Sequence, residues 1–525
     1  MHTVSHILAQ RLGRPLLDVD ALVEEESGER IQAILARHGE GYFRDLEHRV
    51  LKRAIATEQS AIIATGAGIV ESVDNRNLMA EQGIAVYLRD EPPDPADHVQ
   101  PSQGPLSISG TISAAQPMLA SSDALTVFYC SMRNKSAEHI AHEIIATLIG
   151  AGAIQGMTPT TRPVRAGQGY DVVVDWGGLG RLAHYLSQLA LPARIFLVTD
   201  SNLYRLYAST MLPRLSQVGF EVITYCVPPG EASKSQQQLS ALYDWLLEHK
   251  AERREAIVAL GGGVVGDLTG YAAATYLRGV PLVQVPTSLL AQVDSAIGAK
   301  TGINHPRGKN LIGAFYHPRL VLCDPAALLT LPVRERTEGW AEIVKYGMIL
   351  DAELFALLEA HAASLRAFSP PPGELLSQII ARCIDLKVAV IEEDEREQGQ
   401  RAILNYGHTL AHALENVSGY GEWLHGEAVS LGMVAVARIA EEAGLFSSED
   451  RRRQNTLLAA LGLPVVYQGA IDVQAILAKI QLDKKVMGKR VRWIVPRSIN
   501  EVEIMYLSDD LVERIVTAFF AGAQV

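Results

Sequence analysis

The 525-residue sequence has few cysteines, no long apolar run and no excess of basic residues. Its four cysteines lie far apart and form no CxxC pair, so we expect free thiols in a reducing compartment. No segment reaches the length of a transmembrane helix, and the N-terminus lacks the apolar core of a signal peptide. The formal net charge of -12 argues against nucleic acid as a partner, because phosphate binding needs a basic face. These absences predict a cytoplasmic protein that binds neither nucleic acid nor membrane.

The composition, with 48% hydrophobic and 20% charged residues, is typical of globular proteins, and the length predicts several domains. Two stretches interrupt the regular patterns. Asp90 to Ser122 is rich in Pro, Ser, Asp and Gln and is predicted as a loop. Gly150 to Gln168 separates a predicted helix from a predicted strand and marks the main boundary. The predicted division is 1–150, a linker at 151–167, an α/β domain at 168–324 and a mainly helical domain at 325–525.

Short apolar runs that alternate with helical patterns predict α/β structure, with a parallel sheet in the second domain. Before the boundary, strands are predicted at Ala61 to Ala64 and Ile84 to Leu88, and a helix at Ala137 to Leu148. After it, the predicted strands are Tyr170 to Val174, Arg194 to Thr199, Glu221 to Val227, Ala256 to Leu260 and Leu282 to Val285. From about Arg334 the helical period dominates, and a late strand at Val491 to Val495 is the main exception.

A glycine cluster, Gly261 to Gly263, follows the predicted strand Ala256 to Leu260, and a helical pattern follows at Leu268 to Leu277. Glycines between a strand and a helix let the backbone approach a pyrophosphate, and the helix N-terminus adds positive potential. Asp200 follows another strand, where a carboxylate can bind a ribose hydroxyl. Together these features favour nucleotide binding, although each alone also fits an ordinary turn.

Ionisable residues concentrate further along the chain. Glu342 and Lys345 are three residues apart and share a helix face, among apolar neighbours that indicate partial burial. His408 and His412 have the i,i+4 spacing that can place two ligands on one metal, and His425 follows. A carboxylate with two imidazoles suits Zn²⁺ or a similar divalent ion with an open coordination position. The spacing leaves open which two histidines bind.

The segments GGGVVGDLTG, QVPTSLLAQVDSAIGAKTGIN, HPRGKNLIGAFYHP, AEIVKYG, LNYGHTLAHALE and LHGEAVSLGM are long, ordered and specific. With them, the chain from about residue 165 to 525 resembles the 3-dehydroquinate synthase family. The resemblance implies an NAD-binding α/β domain followed by a mainly helical metal-binding domain. It also implies conversion of 3-deoxy-D-arabino-heptulosonate 7-phosphate to 3-dehydroquinate and phosphate. The implied steps are oxidation by NAD, β-elimination, reduction and an intramolecular aldol reaction, in the shikimate pathway of aromatic amino acid biosynthesis.

The resemblance also implies roles for individual residues. The metal, Zn or Co, would be bound by Glu342, His408 and His425, so that His412 would contact the substrate instead. Arg278 would bind the substrate phosphate across the interface of a homodimer. NAD contacts would be Asp200, Asn202, Glu231, Lys234, Gly263, Val264, Val265, Gly266, Asp267, Thr287, Ser288, Lys300, Lys309, Ala327, Leu328, Leu329 and Thr330. Further catalytic or substrate contacts would be Asp294, Lys300, Asn310, Lys345, Lys387, Arg401, Asn405 and one lysine of Lys484 and Lys485, taken as Lys484.

The first 150 residues contain LLDVDALVEEESG, GYFRDLEHRVL and ATGAGIV, and they resemble shikimate kinase. The resemblance implies that Asp20 and Arg44 contact shikimate. Two features depart from that family: the phosphate loop GxxxxGK[ST] is absent, and Gln103 to Leu106 lacks the arginine of the lid. We therefore expect a degenerate P-loop-kinase-like α/β domain without its P-loop, whose kinase activity is doubtful. A gene start assigned too late is the alternative explanation.

Other functions fit parts of the same pattern. The first is another sugar-phosphate cyclase of the superfamily, which would leave Lys387, Arg401 and Asn405 without an anion to bind. The second is a metal-dependent polyol dehydrogenase, which would accumulate NADH. For the N-terminal part, the alternatives are an active shikimate kinase and a non-catalytic shikimate-binding or interaction module.

Overall fold

The structure is a computed structural model that describes residues 2–57, 60–89, 127–132, 135–154, 157–397, 399–419, 421–486 and 491–521. The predicted loop at Asp90 to Ser122, which includes Gln103 to Leu106, lies outside the described residues. The chain forms two compact units. One consists of Met1–Ala153 with Leu206–Pro213 and Phe368–Pro371, and the other contains the rest of the chain.

The first unit is an α/β domain with short parallel strand pairs. Asp18 begins its second helix, because the carboxylate accepts hydrogen bonds from the backbone amides of Asp20 and Ala21 at 3.0 and 3.2 Å. A buried apolar cluster that includes Val19, Leu46 and Val50 forms its core. The elements are α1 (His2–Leu12), β1 (Leu16–Asp18), α2 (Val19–Ser27), α3 (Ile31–Thr57), β2 (Ile62–Ala64), α4 (Val73–Gln82), β3 (Ala85–Arg89), β4 (Val127–Ser131) and α5 (Ala137–Gly150), where β1 pairs with β2 and β3 with β4.

The second unit is built on a seven-stranded sheet with the order β5-β6-β13-β10-β9-β7-β8. All neighbours pair in parallel except β5 and β6. Its central strands are fully buried apolar runs, as expected when both faces of a parallel sheet are covered. The strands are β5 (Thr160–Val164), β6 (Tyr170–Val174), β7 (Arg194–Asp200), β8 (Glu221–Val227), β9 (Ala256–Gly261), β10 (Leu282–Pro286) and β13 (Leu320–Cys323).

Helices and one hairpin connect these strands. The helices are α6 (Leu182–Ser187), α7 (Ser209–Gln217), α8 (Gln236–Glu248) and α9 (Gly263–Thr275), and short helical turns occur at Ser201–Leu203, Tyr204–Ala208, Ala291–Ser295 and Pro325–Leu329. The hairpin consists of β11 (Lys300–His305) and β12 (Gly308–Phe315), which pair antiparallel outside the main sheet.

The remainder of the second unit is mainly helical, as predicted. Its helices are α10 (Val333–Ile349), α11 (Ala352–Ala367), α12 (Gly373–Glu393), α13 (His408–Val417), α14 (His425–Glu442), α15 (Ser448–Ala460), α16 (Val473–Val486) and α17 (Asp509–Phe520). A short helical turn, Gln400–Asn405, precedes α13, and β14 (Arg492–Ser498) and β15 (Glu501–Tyr506) form a second hairpin. Among the described helices, none combines the length and the apolarity that crossing a membrane requires.

The structure differs from the predicted elements at three places. The helix after the glycine cluster was predicted to begin at Leu268 but begins at Gly263, since tertiary packing overrides the low helical propensity of Gly263 and Gly266. The segment predicted as a linker contains β5, an edge strand that tolerates Pro163. The late strand has a partner, β15, that the sequence analysis missed.

Candidate functional site

Three buried or half-buried side chains converge where α10, α13 and α14 meet. Glu342 comes from the middle of α10, while His408 and His425 are the first residues of α13 and α14. Nε2 of His408 lies 3.5 Å from Oε1 of Glu342, and Nε2 of His425 lies 3.8 Å from the same oxygen. The three ligand atoms lie within 4.8 Å of one another, a spacing that one divalent ion can bridge.

Both histidines are held so that Nε2 faces Glu342. Nδ1 of His408 lies 3.1 Å from the carbonyl oxygen of Tyr406, to which it can donate a hydrogen bond. Nδ1 of His425 lies 3.4 Å from Oε2 of Glu415. Burial, and then the charge of Lys345, hold the pKa of His408 well below its usual range, so this imidazole is neutral. A neutral imidazole with an acceptor on Nδ1 is the form that binds a metal through Nε2.

The electrostatics of Glu342 favour a cation. Its side chain is fully buried, and neither carboxylate oxygen has a hydrogen-bond partner among the described residues. The ammonium of Lys345 lies against Oε2, but Oε1 faces only the two imidazoles. A buried carboxylate is costly without compensation, and a divalent ion between Glu342, His408 and His425 would supply it. These residues therefore fit a metal ion.

A line of alternating charges continues from the metal-binding residues. Lys387 donates hydrogen bonds to the backbone oxygen and to Oδ1 of Asp294 at 2.5 and 2.6 Å, and the hydroxyl of Tyr346 donates to the same Oδ1 at 3.0 Å. Burial opposes ionisation of Asp294, but the charges of Lys387 and Lys345 outweigh it and lower the pKa of Asp294. Burial also lowers the pKa of Lys387 to about 8, against the attraction of Asp294. Two lysines thus flank one carboxylate inside the site.

A second group of cations lies at the turn before α13. Arg401 is buried, and its guanidinium donates to the backbone oxygens of Gly298, at 3.1 Å, and Glu395. Its Nε has no partner among the described residues. The carboxylate of Glu397 joins Lys300, which contacts one oxygen, to Asn405, whose amide donates to the other at 2.6 Å. A substrate anion could replace Glu397 as the partner of both.

The glycine cluster forms an open helix N-terminus. Gly262 precedes α9 and provides no side-chain cap, so the first amides of the helix keep their donors. A Cβ at Gly262 would lie 3.3 Å from Oγ of Ser288, and one at Gly263 would lie 3.0 Å from Oγ of Ser295. Side chains at these positions would fill the space in front of the helix. The cluster therefore fits a pyrophosphate, which such amides bind.

Polar side chains surround that helix N-terminus. Nζ of Lys234 donates to Oδ2 of Asp267 at 2.6 Å and to Oδ1 of Asn310 at 2.5 Å. Nδ2 of Asn304 donates to Oε1 of Glu231 at 2.7 Å. The lysine is buried, and although burial opposes its charge, Asp267 and Glu231 raise the pKa of Lys234. The loop before α8, the start of α9 and the β11–β12 hairpin are thereby joined.

The other predicted NAD contacts lie at neighbouring strand ends. Asp200 ends β7 and accepts from the amides of Asn202 and Leu203 at 2.7 and 3.0 Å. Thr287 follows β10 and is buried, and its amide donates to the backbone oxygen of Gly261 at 3.1 Å. The residues Ala327, Leu328, Leu329 and Thr330 follow β13 and are buried in and after the turn that Asp324 caps. Val264, Val265 and Gly266 form the first turn of α9.

Three of the predicted contacts remain to be placed: Arg278, His412 and the lysine taken as Lys484. Arg278 is exposed, has a left-handed backbone with φ of 64°, and pairs with no acid among the described residues. His412 is exposed beside the metal-binding residues, with its ring centroid 5.5 Å from that of His408. The side chains of Lys484 and Lys485 lie outside the described part of α16.

The first unit has a polar cluster of its own. Arg44 lies 3.1 Å from Glu47 and 3.3 Å from both Glu40 and Glu71. Burial raises the pKa of Glu47, and the hydrogen bond from Arg44 only partly opposes this. A Cβ at Gly66 would lie 3.4 Å from Oδ1 of Asp20, so the glycine turn lies close to that acid.

Comparison with known proteins explains the pattern of the second unit. The family models for the N-terminal and C-terminal parts of 3-dehydroquinate synthase match residues 224–338 and 339–486. A 3-dehydroquinate synthase from Nostoc punctiforme is 46% identical over 357 residues, which cover 68% of this chain and 97% of that protein. One from Synechocystis is also 46% identical, and the match covers 68% of this chain and 99% of the relative.

The chain belongs to the 3-dehydroquinate synthase family. The model for shikimate kinase matches residues 2–149, so this family member carries a kinase-like region before the synthase, as the sequence analysis expected. The predicted fold class, with NAD-binding α/β and helical parts, is confirmed.

Solved structures of related cyclases agree with this assignment. A 2-epi-5-epi-valiolone synthase from Streptomyces hygroscopicus, with NAD⁺ and Zn²⁺ bound, is 29% identical with a TM-score of 0.62, covering 67% of this chain and 96% of its own. A 2-deoxy-scyllo-inosose synthase, complexed with carbaglucose-6-phosphate, NAD⁺ and Co²⁺, is 26% identical with a TM-score of 0.61. That match covers 69% of this chain and all of the other.

Two residues of this family member that sequence reasoning missed are Glu397 and Glu415. Glu397 contacts Lys300 from 97 residues away, and Glu415 contacts Lys309 from 106 residues away. Glu415 lies three residues after His412 on the same helix, so the helical period was the only signal available. Their partners depend on tertiary structure.

Proposed function

We propose that the second unit converts 3-deoxy-D-arabino-heptulosonate 7-phosphate to 3-dehydroquinate and phosphate. The observation that carries the proposal is the convergence of buried Glu342 with half-buried His408 and His425, with lysines and an arginine beside them. A site that acts on a phosphorylated keto acid needs a Lewis acid close to cations that hold two anionic groups. The family membership of the chain supports the same reaction.

The metal, Zn²⁺ or Co²⁺, would be held by Glu342, His408 and His425. When bound, it would polarise the secondary hydroxyl that is oxidised. The acceptors on Nδ1 of both histidines keep Nε2 free for this purpose. The ammonium of Lys345 lies against Glu342 and would lie close to the hydroxyl that is oxidised.

NAD would lie along the carboxyl ends of the strands, with its pyrophosphate at Gly263 to Asp267. When bound there, NAD would supply reversible hydride-transfer chemistry to the site. Asp200 and Asn202 would bind a ribose, and Glu231, Lys234 and Lys309 would surround the nucleotide. Thr287, Ser288, Lys300 and the stretch from Ala327 to Thr330 would complete its contacts.

The substrate anions would be bound by the cations between the two halves of the second unit. Lys387 and Arg401 are buried and suit a planar carboxylate, because a guanidinium can donate two parallel hydrogen bonds. Asp294 orients Lys387 toward the site. Lys300, Asn310, Asn405, His412 and Lys484 would complete the substrate contacts.

A homodimer would let Arg278 of each copy bind phosphate in the other. The exposure of Arg278 and its lack of an acidic partner among the described residues support this role. The strained backbone at Leu277 and Arg278, with φ of 47° and 64°, is also typical of functional positions.

The first unit is proposed to be non-catalytic, with shikimate as a weak ligand at Asp20 and Arg44. Arg44 is already compensated by three glutamates, which would compete with a substrate carboxylate. The division at 1–150, 151–167, 168–324 and 325–525 stays a proposal. A cytoplasmic location is supported by Cys226, Cys323 and Cys383, which form no disulfide among the described residues.

An alternative is a cyclase for a sugar phosphate without a carboxylate, since one structural relative is complexed with carbaglucose-6-phosphate. The test is to measure phosphate release from the heptulosonate 7-phosphate and from a neutral hexose 6-phosphate. We expect release only from the acid, and a loss of this preference in Arg401→Met, which removes the guanidinium but keeps most of the volume. Equal or faster release from the neutral sugar would favour the alternative.

A further inference from the structure

Glu415 is a buried carboxylate that joins two parts of the proposed active site. It lies in the third turn of α13 and is 2% exposed. Its Oε2 lies 3.4 Å from Nδ1 of His425, and its Oε1 accepts a hydrogen bond from Nζ of Lys309 at 2.7 Å. One oxygen therefore faces a metal ligand and the other faces the β11–β12 hairpin.

The contact with His425 fixes the imidazole ring. A carboxylate beside Nδ1 keeps the proton on that nitrogen, so Nε2 remains a lone-pair donor. Nε2 is the atom that lies 3.8 Å from Oε1 of Glu342. His408 obtains the same arrangement from a backbone oxygen, at 3.1 Å from its Nδ1. His425 depends instead on a side chain, which makes its position sensitive to substitution.

The contact with Lys309 leads toward the nucleotide. Lys309 is followed in β12 by Asn310, whose Oδ1 accepts from Lys234 at 2.5 Å. Lys234 pairs with Asp267 in the first turns of α9, the helix whose N-terminus is open. Polar contacts, together with the peptide link between Lys309 and Asn310, thus connect His425 to the helix that follows the glycine cluster.

We propose that Glu415 is a positioning residue that orients His425 for the metal and, through Lys309, couples metal binding to nucleotide binding. The inference rests on the proposed metal ligands Glu342, His408 and His425. A nucleotide that orders the hairpin would hold Lys309 on Glu415, and Glu415 on His425. By linkage, bound metal would then raise the affinity for the nucleotide by the same factor by which bound nucleotide raises the affinity for the metal.

A competing role for Glu415 is direct metal ligation. His412, Glu415 and His425 also bring ligand atoms within 4.8 Å of one another. The ammonium of Lys309 already occupies Oε1 of Glu415, however, and a metal ion there would place two cations on one carboxylate. The number of metal ions bound per chain separates the two roles.

The test uses the whole 525-residue chain, stripped of metal and titrated with Co²⁺ against a chelating indicator, with and without NAD⁺. The variants are Glu415→Gln, Lys309→Met, their double mutant and Glu342→Gln, with the exposed Glu449→Gln as the control. We expect wild type and Glu449→Gln to bind one Co²⁺ with equal affinity. Glu415→Gln should still bind one Co²⁺, but about 10–100-fold more weakly and with an altered Co²⁺ absorption spectrum.

Coupling is measured in the same titrations. NAD⁺ should tighten Co²⁺ binding in wild type, and Lys309→Met or Glu415→Gln should each remove most of that effect. The double mutant should lose no more of it than either single variant, as for residues that act in series. A coupling that persists unchanged in both single variants would overturn the proposed link.

The remaining outcomes of the titration also test the proposed role of Glu415 and the metal site on which it rests. Wild-type Co²⁺ affinity and spectrum in Glu415→Gln, while Glu342→Gln loses the metal, would overturn the inference and leave the proposed function intact. Two Co²⁺ per wild-type chain, reduced to one in Glu415→Gln, would identify Glu415 as a ligand instead. A wild-type chain that binds no Co²⁺ would overturn both the inference and the metal site on which it rests.

Discussion

At the scale of single residues, the histidines around Glu342 have the same chemistry, and their positions distinguish the proposed metal ligands from the remaining histidine. His408 and His412 are one helical turn apart, which made both of them candidates. Nε2 of His408 and of His425 lie within 4 Å of Oε1 of Glu342, whereas His412 is exposed at the edge of the group. His412 is thus better placed to contact substrate than metal.

Substitution of the histidines tests this distinction. Glu342→Gln, His408→Ala and His425→Ala are each expected to lose bound metal and activity together, because three protein ligands are the minimum for a catalytic Zn²⁺ site. His412→Ala should keep one metal ion and lose turnover. Metal content after dialysis and the rate of phosphate release provide the two readouts. Loss of metal from His412→Ala, with retention in His425→Ala, would make the i,i+4 pair the ligands.

The lowered pKa of Lys387, about 8, predicts a pH dependence. Burial disfavours its charge, so the free enzyme loses this cation as the pH rises through 8, and the substrate anion loses a partner. We expect kcat/KM to fall above about pH 8 and the descending limb to move upward in Lys387→Arg, because arginine stays protonated. A limb that stays near 8 in Lys387→Arg would assign it to another group.

The lowered pKa of Lys387 changes the free energy of unfolding with pH in the direction opposite to its effect on kcat/KM. Between about pH 8 and the ordinary lysine pKa of 10.5, the folded protein binds fewer protons at Lys387 than the unfolded chain does. The free energy of unfolding therefore rises with pH in this window from this group alone. A fall in kcat/KM above pH 8 would accordingly report loss of the Lys387 charge and not unfolding caused by that loss.

At the scale of elements, the metal-binding residues depend on how closely α13 and α14 approach. Gly432 of α14 packs on Gly407, which precedes α13 and has φ of 80°. A Cβ at Gly432 would collide with the backbone oxygen of Gly407. His408 follows Gly407 directly, and His425 begins α14, so this contact sets the separation of two proposed ligands.

Gly432→Ala should therefore separate the helices. We expect a loss of about 1–3 kcal/mol in the free energy of unfolding, as for overpacked cores, together with loss of metal. Ala440→Gly on the same helix is the control. It should lower the free energy of unfolding by about 1 kcal/mol without adding a clash, and it should keep the metal. Denaturant unfolding and metal content measure both effects. Metal retention in Gly432→Ala at wild-type affinity would contradict the account.

The elements also show what the sequence could and could not predict. The bounds of β6 and β8 were predicted correctly, because each is a β-branched and aromatic run that turn-forming residues delimit. The β11–β12 hairpin was missed, since Gly302 and Gly313 lie inside its strands, where their close backbone approach excludes a Cβ. Glu397 and Glu415 were missed because their partners are about a hundred residues away in the chain.

At the scale of the whole molecule, the chain combines a synthase unit with a region, residues 2–149, that the shikimate kinase model matches. Phosphoryl transfer depends on a phosphate loop and its lysine, and the sequence has no such motif. Arg44 remains, but three glutamates surround it. The match of residues 2–149 to shikimate kinase therefore does not imply that activity.

The 525-residue chain is accordingly expected to form no shikimate 3-phosphate from ATP and shikimate. A coupled assay for ADP, with an intact shikimate kinase as the positive control, measures this directly. ATP binding detected by calorimetry, or product above background, would refute the interpretation of the first unit as degenerate. Activity that appears only after extension of the chain upstream would support a late gene start instead.

The central claim is that the second unit uses NAD catalytically on a phosphorylated keto acid. The most direct measurement follows phosphate release and NADH absorbance together, with heptulosonate 7-phosphate in large excess over NAD⁺. We predict many phosphates released per NAD⁺, no accumulation of NADH, and loss of activity with a chelator that Co²⁺ or Zn²⁺ restores. Formation of one NADH per substrate consumed would contradict the account and identify a dehydrogenase.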